Sequence, residues 1–131
     1  MIALDTSAIV AIALDEDEAE TFDRVIASEE VLIGTPTLLE SRLVLMQRIP
    51  GFAAEFLQAF VSPVEVNPVP FSFDMYQGAA KAFERYGKGS GHSAQLNFGD
   101  CMAYAVAKHH DVPLLYKGRD FARTDIRPAL S

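Results

Sequence analysis

An α/β fold, with a parallel sheet covered by helices on both faces, is predicted by three features of the sequence. Short apolar runs alternate with amphipathic stretches along the chain, polar or glycine residues end those runs where a helix must begin, and no internal repeat interrupts the alternation. The chain has 131 residues, half of them apolar, which is enough for one core and one domain spanning 1–131.

The elements follow in order. Ile2-Ala3-Leu4 is a strand stopped by Asp5-Thr6-Ser7, a trio that also caps a helix expected over Ala8–Leu14. Glu16, Asp17, Glu18 and Glu20 crowd the first turn of a second helix, which Ala19, Phe22, Val25 and Ile26 carry to about Ser28. Val31-Leu32-Ile33 and Gly34 read as a buried strand, and Thr35-Pro36-Thr37 starts a helix with Leu39, Leu43 and Met46 on one face. Pro50-Gly51 breaks the pattern before a short helix over Phe52–Phe60, whose Phe52, Phe56, Leu57 and Phe60 suit either the core or a partner surface. Val64-Glu65-Val66 alternates as a third strand, Ser72–Tyr86 is helical, and Gly87-Lys88-Gly89-Ser90-Gly91 reads as a mobile loop. Asn97–His109 forms the last long helix, and Val112–Tyr116 the fourth strand.

Charge narrows the function classes. Eleven basic and 18 acidic residues give a net charge of −7, a field that repels nucleic acid unless cations are concentrated locally and that favours metal ions or a basic protein partner. The single cysteine, Cys101, excludes an internal disulfide and a CxxC zinc site. Apolar stretches are broken well before the ~20 residues a spanning helix needs, and Met1 passes straight into Ile2-Ala3-Leu4-Asp5 without a basic stretch. A soluble, cytoplasmic protein without membrane association is the expectation.

In parallel sheets ligands sit beyond the carboxyl ends of the strands, where strand order reverses. Asp5 follows the first strand and Asp120 follows the fourth, while Glu40 and Asp100 fall in early turns of their helices. Each has an ordinary alternative as a cap, a solvated helix acid or a loop acid. Converging carboxylates instead repel one another and call for a divalent cation; hard oxygen ligands suit Mg²⁺ or Mn²⁺, and such an ion supports hydrolysis of a phosphodiester.

The segments Met1-Ile2-Ala3-Leu4-Asp5-Thr6-Ser7-Ala8, Thr35-Pro36-Thr37-Leu38-Leu39-Glu40, Leu96-Asn97-Phe98-Gly99-Asp100-Cys101 and Leu114-Leu115-Tyr116-Lys117-Gly118-Arg119-Asp120-Phe121 together resemble the PIN-domain family, and specifically the VapC toxins of type II (VapBC) toxin-antitoxin pairs. The resemblance covers essentially the whole chain. It implies a three-layer α/β/α domain with a central parallel sheet of four to five strands, and an endoribonuclease whose Asp5, Glu40, Asp100 and Asp120 are catalytic. Asp5 and Asp100 would be direct ligands of Mg²⁺ or Mn²⁺. Many members carry Asp-x-Asp-Phe where this chain has Gly118-Arg119-Asp120-Phe121, so one acid is missing and Asp125 is a nearby substitute for Asp120. The family further implies a VapB-type antitoxin with a basic C-terminal tail, an RNA substrate and a homodimer.

Thr6 and Ser7 are candidates to orient a carboxylate, and Asn97 is a helix cap or a substrate contact. Arg85, Lys88 and His92, with Lys117, Arg119 and Arg123, form either a rim that follows phosphates or ordinary solvated charge. Cys101 with His92, His109 or His110 lacks the ordered spacing of a thiol enzyme, and Gly87–Gly91 lacks the P-loop pattern. Two rival functions remain. The Gly118 departure admits a PIN-like binding module whose catalysis has lapsed. A phosphoacceptor receiver domain would need an acidic pair after the first strand and an acceptor aspartate after the third, where this chain has a lone Asp5 and Asn67-Pro68.

Overall fold

The computed structural model describes residues 1–130. Strands β1 (Ile2–Leu4), β2 (Val31–Gly34), β3 (Val66–Val69) and β4 (Leu114–Leu115) form one parallel sheet in the order β3-β2-β1-β4. The helices are α1 (Thr6–Ala13), α2 (Ala19–Ala27), α3 (Thr35–Arg48), α4 (Ala53–Phe60), α5 (Phe73–Tyr86) and α6 (Phe98–His110). A 3-10 turn at Phe121–Arg123 follows β4.

The alternation of side chains along the strands divides the core in two. Ala3, Leu32 and Leu114 face α5 and α6, packing on Met75, Ala79, Tyr86, Ala103 and Val106. Ile2, Leu4, Val31, Ile33, Val66 and Leu115 face the other way, onto Ile9, Phe22, Leu45 and Leu57 of α1 to α4. This gives the expected three layers with four strands. After β1 the chain adds β2 and β3 on one side and then returns to place β4 on the other. The reversal therefore lies between β1 and β4, and Asp5 stands at the end of β1 with its N–H on the Leu115 carbonyl at 3.0 Å.

The first helix starts earlier than expected, at Thr6, the fourth strand is shorter, Leu114–Leu115 within the expected Val112–Tyr116, and two further elements differ more. The third strand is Val66–Val69 rather than Val64–Val66, because its register is set by β2: Val31 pairs with Val66, and Gly34 with Val69. Pro68 is tolerated there because β3 is an edge strand. On α3 the buried stripe is Thr37, Ser41 and Leu45, small or medium residues that let α3 pack closely on α1. Leu39, Leu43 and Met46 instead remain 59%, 54% and 49% exposed. The helix also starts at once after β2, with Gly34 as its N-cap. A Cβ at Gly34 would lie 2.7 Å from Val106 Cγ2, so only glycine permits this approach to α6.

Candidate active site

Asp5 is the N-cap of α1, and its Oδ2 accepts from the Ser7 N–H at 3.0 Å and from Ser7 Oγ at 2.6 Å. Ser7 Oγ in turn accepts from the Lys117 N–H at 2.9 Å, which ties the ends of β1 and β4 together. The other oxygen, Oδ1, is buried without a hydrogen-bond partner, and the residue is only 4% exposed. Burial, opposed by the Ser7 bonds and reinforced by the charges of Asp100 and Glu40, pushes the Asp5 carboxyl up to about 7.

Glu40 reaches the same place from the second turn of α3. Its Oε1 accepts from Thr6 Oγ1, while Thr6 Oγ1 also lies 3.4 Å from the Thr37 carbonyl. Its carboxylate rests against the backbone of Gly99, so closely that a methyl group at Gly99 would collide with it. Gly99 is thus part of the site, missed in the sequence reading. A glycine in the first turn of a helix, between Phe98 and Asp100, was the available signal, since glycine there costs helix stability unless close approach requires it.

Asp100 is delivered by a capping box at the start of α6. Asn97 is the N-cap: its Oδ1 accepts from the Asp100 N–H at 2.8 Å, and Asp100 Oδ2 accepts from the Asn97 N–H at 3.0 Å. Burial raises the Asp100 pKa, the Asn97 bond opposes it, the charges of Asp120 and Glu40 raise it further and Lys88 lowers it. Glu40 and Asp100 are thus close enough for their charges to act on Asp5, and Glu40 and Asp120 close enough to act on Asp100. Asp120 is exposed, in the turn after β4.

Two sequence candidates lie elsewhere. Asp125 is engaged elsewhere: Tyr104 OH donates to its Oδ1, and Lys108 Nζ sits 3.0 Å from its Oδ2. Tyr104 and Lys108 are one and two turns along α6 from Asp100, so both Asp125 oxygens are held away from the cluster. Burial would raise the Asp125 carboxyl, but those two partners outweigh it and hold it below its ordinary value. The Lys117 ammonium likewise points to Glu16 and Glu18, at 2.9 and 3.4 Å, and only its backbone N–H serves the site. Arg123 donates to the Ser93 carbonyl at 3.0 Å, and Arg119 is exposed. Cys101 is a core residue whose thiol is pushed up to about 11 by burial and by Asp100, which rules out a ready thiolate.

The donor set fits a hard divalent cation. An unpartnered buried carboxylate oxygen flanked by further carboxylates is costly by itself and is relieved by bound positive charge. Among the described residues, no group of three acidic, histidine or cysteine side chains is placed to hold a metal ion. Beside Glu40 and Gly99 opens a cleft of about 600 Å³ between α3 and α6, walled by Pro36, Leu39, Leu43, Phe98 and Met102.

Residues 2–127 match the PIN domain model. The chain belongs to the PIN-domain family. Within that family it is 38% identical over 126 residues, 95% of each chain, to VapC ribonuclease Mb0640 of Mycobacterium bovis and to Ribonuclease VapC30 of Mycobacterium tuberculosis. It is also 38% identical to Ribonuclease VapC of Mycolicibacterium smegmatis, covering 95% of this chain and 97% of that one. These identities place it in the VapC branch of the PIN domains. The crystal structure of Mycobacterium tuberculosis VapC20, described as a Sarcin-Ricin loop cleaving toxin, superposes with a TM-score of 0.79 at 20% identity over 96% of both chains. VapBC2 from Rickettsia felis, solved bound to a DNA fragment from its promoter, gives 0.71 at 17% identity over 98% of this chain and 96% of that one. Both share the PIN fold seen here.

Proposed function

We propose that this PIN domain is a Mg²⁺- or Mn²⁺-dependent endoribonuclease, the toxin of a VapBC-type pair. The observation that carries the reading is the unpartnered Asp5 Oδ1, buried at the strand-order reversal and faced by Glu40 and Asp100. Asp5 and Asp100 would hold the ion directly, with Glu40 and Asp120 completing its surroundings. When bound, such an ion supplies Lewis acidity, activates water and neutralises charge on the phosphodiester. The chain's own residues do the positioning. Ser7 fixes the Asp5 carboxylate through Oδ2 and leaves the buried Oδ1 without a partner, Thr6 orients Glu40 across the bare backbone of Gly99, and Asn97 anchors Asp100 by one oxygen only.

The partner follows from charge and surface. The net charge of −7 and the carboxylate cluster favour an antitoxin with a basic C-terminal tail whose cationic side chain enters the site. The exposed Leu39, Leu43 and Met46 of α3 suit homodimerisation. Among the described residues no helix is long and apolar enough to cross a membrane, and a toxin acting on RNA works in the cytoplasm.

The direct test is incubation of purified protein with a pool of structured and single-stranded RNAs in Mn²⁺ or in EDTA. Internal cleavage in Mn²⁺ that is absent in EDTA is expected. Poor manganese binding by calorimetry together with no cleavage of any RNA would favour the lapsed binding module.

A further inference from the structure

The nuclease reading leaves an electrostatic problem that the structure can address. A chain of net charge −7 carries Asp5, Glu40 and Asp100 within reach of one another's charge, yet a substrate strand must bring its phosphates there. Most of the eleven Lys and Arg residues have other partners or lie elsewhere. Arg24 pairs with Glu20, Lys108 with Asp125, Lys117 with Glu16 and Glu18, and Arg127 with Asp111. Arg123 is bound to the Ser93 carbonyl, and Arg85 lies over the Tyr86 ring.

Lys88 is different. Like Arg119 beside Asp120, it is exposed and forms no ion pair among the described residues, but its charge also acts on Asp100. Its backbone explains the proximity. The Lys88 N–H donates to the Leu96 carbonyl at 2.9 Å and the Leu96 N–H to the Tyr86 carbonyl at 2.8 Å, closing a parallel bridge between Gly87 and Leu96. Leu96 leads directly into the Asn97 cap that positions Asp100. The next residue, Gly89, has φ +88° and turns the chain away into open space. The root of Lys88 is therefore clamped to the segment that delivers Asp100, while its ammonium stays free.

We propose that Lys88 is the phosphate-binding residue of this site, its ammonium gripping a backbone phosphate of single-stranded RNA next to the phosphodiester that faces Asp5, Glu40 and Asp100. The inference rests on the nuclease reading and adds the residue that holds its substrate. A lysine suits the task because its flexible stem places a compact charge against whichever phosphate oxygen is presented. The ordinary alternative is that Lys88 merely offsets the Asp100 charge.

The test compares wild type, Lys88→Gln, Lys88→Arg and Lys81→Gln, the last removing the same charge from an exposed site on α5. The probe is a fluorescein-labelled 12-nucleotide single-stranded RNA of mixed sequence, titrated in EDTA at several salt concentrations, with cleavage kinetics in Mn²⁺ and Mn²⁺ calorimetry alongside. Lys88→Gln should weaken RNA binding about five- to tenfold at low salt and reduce the salt slope by about 0.7, the value for one contact to a single strand. KM should rise by a similar factor with kcat within about twofold. Lys88→Arg should restore binding, and Lys81→Gln should leave the slope unchanged. Wild-type affinity and slope in Lys88→Gln, with Mn²⁺ binding tightened, would overturn the proposal in favour of a counter-ion. An equal loss in Lys81→Gln would overturn it in favour of net charge. Wild-type protein that neither binds nor cleaves RNA would overturn the nuclease reading itself, whereas cleavage unaffected by Lys88→Gln overturns the role of Lys88 alone.

Discussion

Asp5→Asn should stabilise the metal-free protein above neutral pH while removing its response to manganese. The folded chain holds the Asp5 proton up to about pH 7, whereas the ordinary value is 3.8. Between those values the native state binds more protons than the unfolded state, so stability falls as pH rises through the window and the full cost is present above it. At about 1.4 kcal/mol per tenfold change in ionisation, the shift sets a ceiling of about 4 kcal/mol. Relaxation and water entry lower that figure, and a gain of about 1–3 kcal/mol for Asn is expected at about pH 8, vanishing near pH 4. Asn keeps the cap, because its Oδ1 can accept from Ser7 as the Asp5 Oδ2 does. Its Nδ2 then occupies the place of the unpartnered oxygen and faces the acids Glu40 and Asp100. Manganese at a hundredfold excess over Kd should add about 2.7 kcal/mol to the wild type and little to the variant. Urea unfolding across pH, in EDTA and in Mn²⁺, checks both halves. A variant less stable than wild type in EDTA at high pH would refute the reasoning and make Asp5 a structural cap whose charge favours α1.

Gly99→Ala should displace Glu40, costing about 1–3 kcal/mol of stability by overpacking and at least about tenfold in cleavage, both read on one protein preparation by melting and kinetics. Asp120→Asn should slow cleavage roughly ten- to a hundredfold while keeping measurable activity. Asp125→Asn should leave cleavage within about twofold and instead lose about 1 kcal/mol or less, because its partners Tyr104 and Lys108 lie outside the acid cluster and the pair is half exposed; a dead Asp125→Asn would return that residue to the site. Leu43→Asp should shift the protein to a monomer in light scattering without loss of folding, since Leu43 is exposed in the isolated chain.

The sequence marked Asp5 and Asp100 as candidates because each sits where a helix starts. Asp5 is the N-cap of α1 and Asp100 the third residue of α6, reached by the Asn97 cap, and their neighbours Thr6-Ser7 and Asn97 carry the same signal in the chain as in the fold. What was hidden depended on tertiary choices. Leu39, Leu43 and Met46 have the helical spacing of a core face, but α3 packs through Thr37 and Ser41 because small side chains permit close approach to α1. Val64-Glu65-Val66 alternates as well as any strand, yet pairing with β2 shifted β3 to Val66–Val69. Asp125 lies only five residues from Asp120, and nothing local announces that Tyr104 and Lys108, far back in the chain, claim both of its oxygens. Lys117 is similar: Glu16 and Glu18 capture its ammonium across about a hundred residues of sequence.

Single-turnover cleavage of RNA by Asp100→Asn in saturating Mn²⁺ bears most directly on the claim that these acids form a metal-dependent nuclease site. Removing one direct ligand of the ion should lower the rate on the order of a thousandfold or more, a loss of several kcal/mol of transition-state stabilisation, while the capping box is preserved because Asn can still accept from the backbone. Asp100→Asn that folds and cuts RNA at the wild-type rate would contradict it.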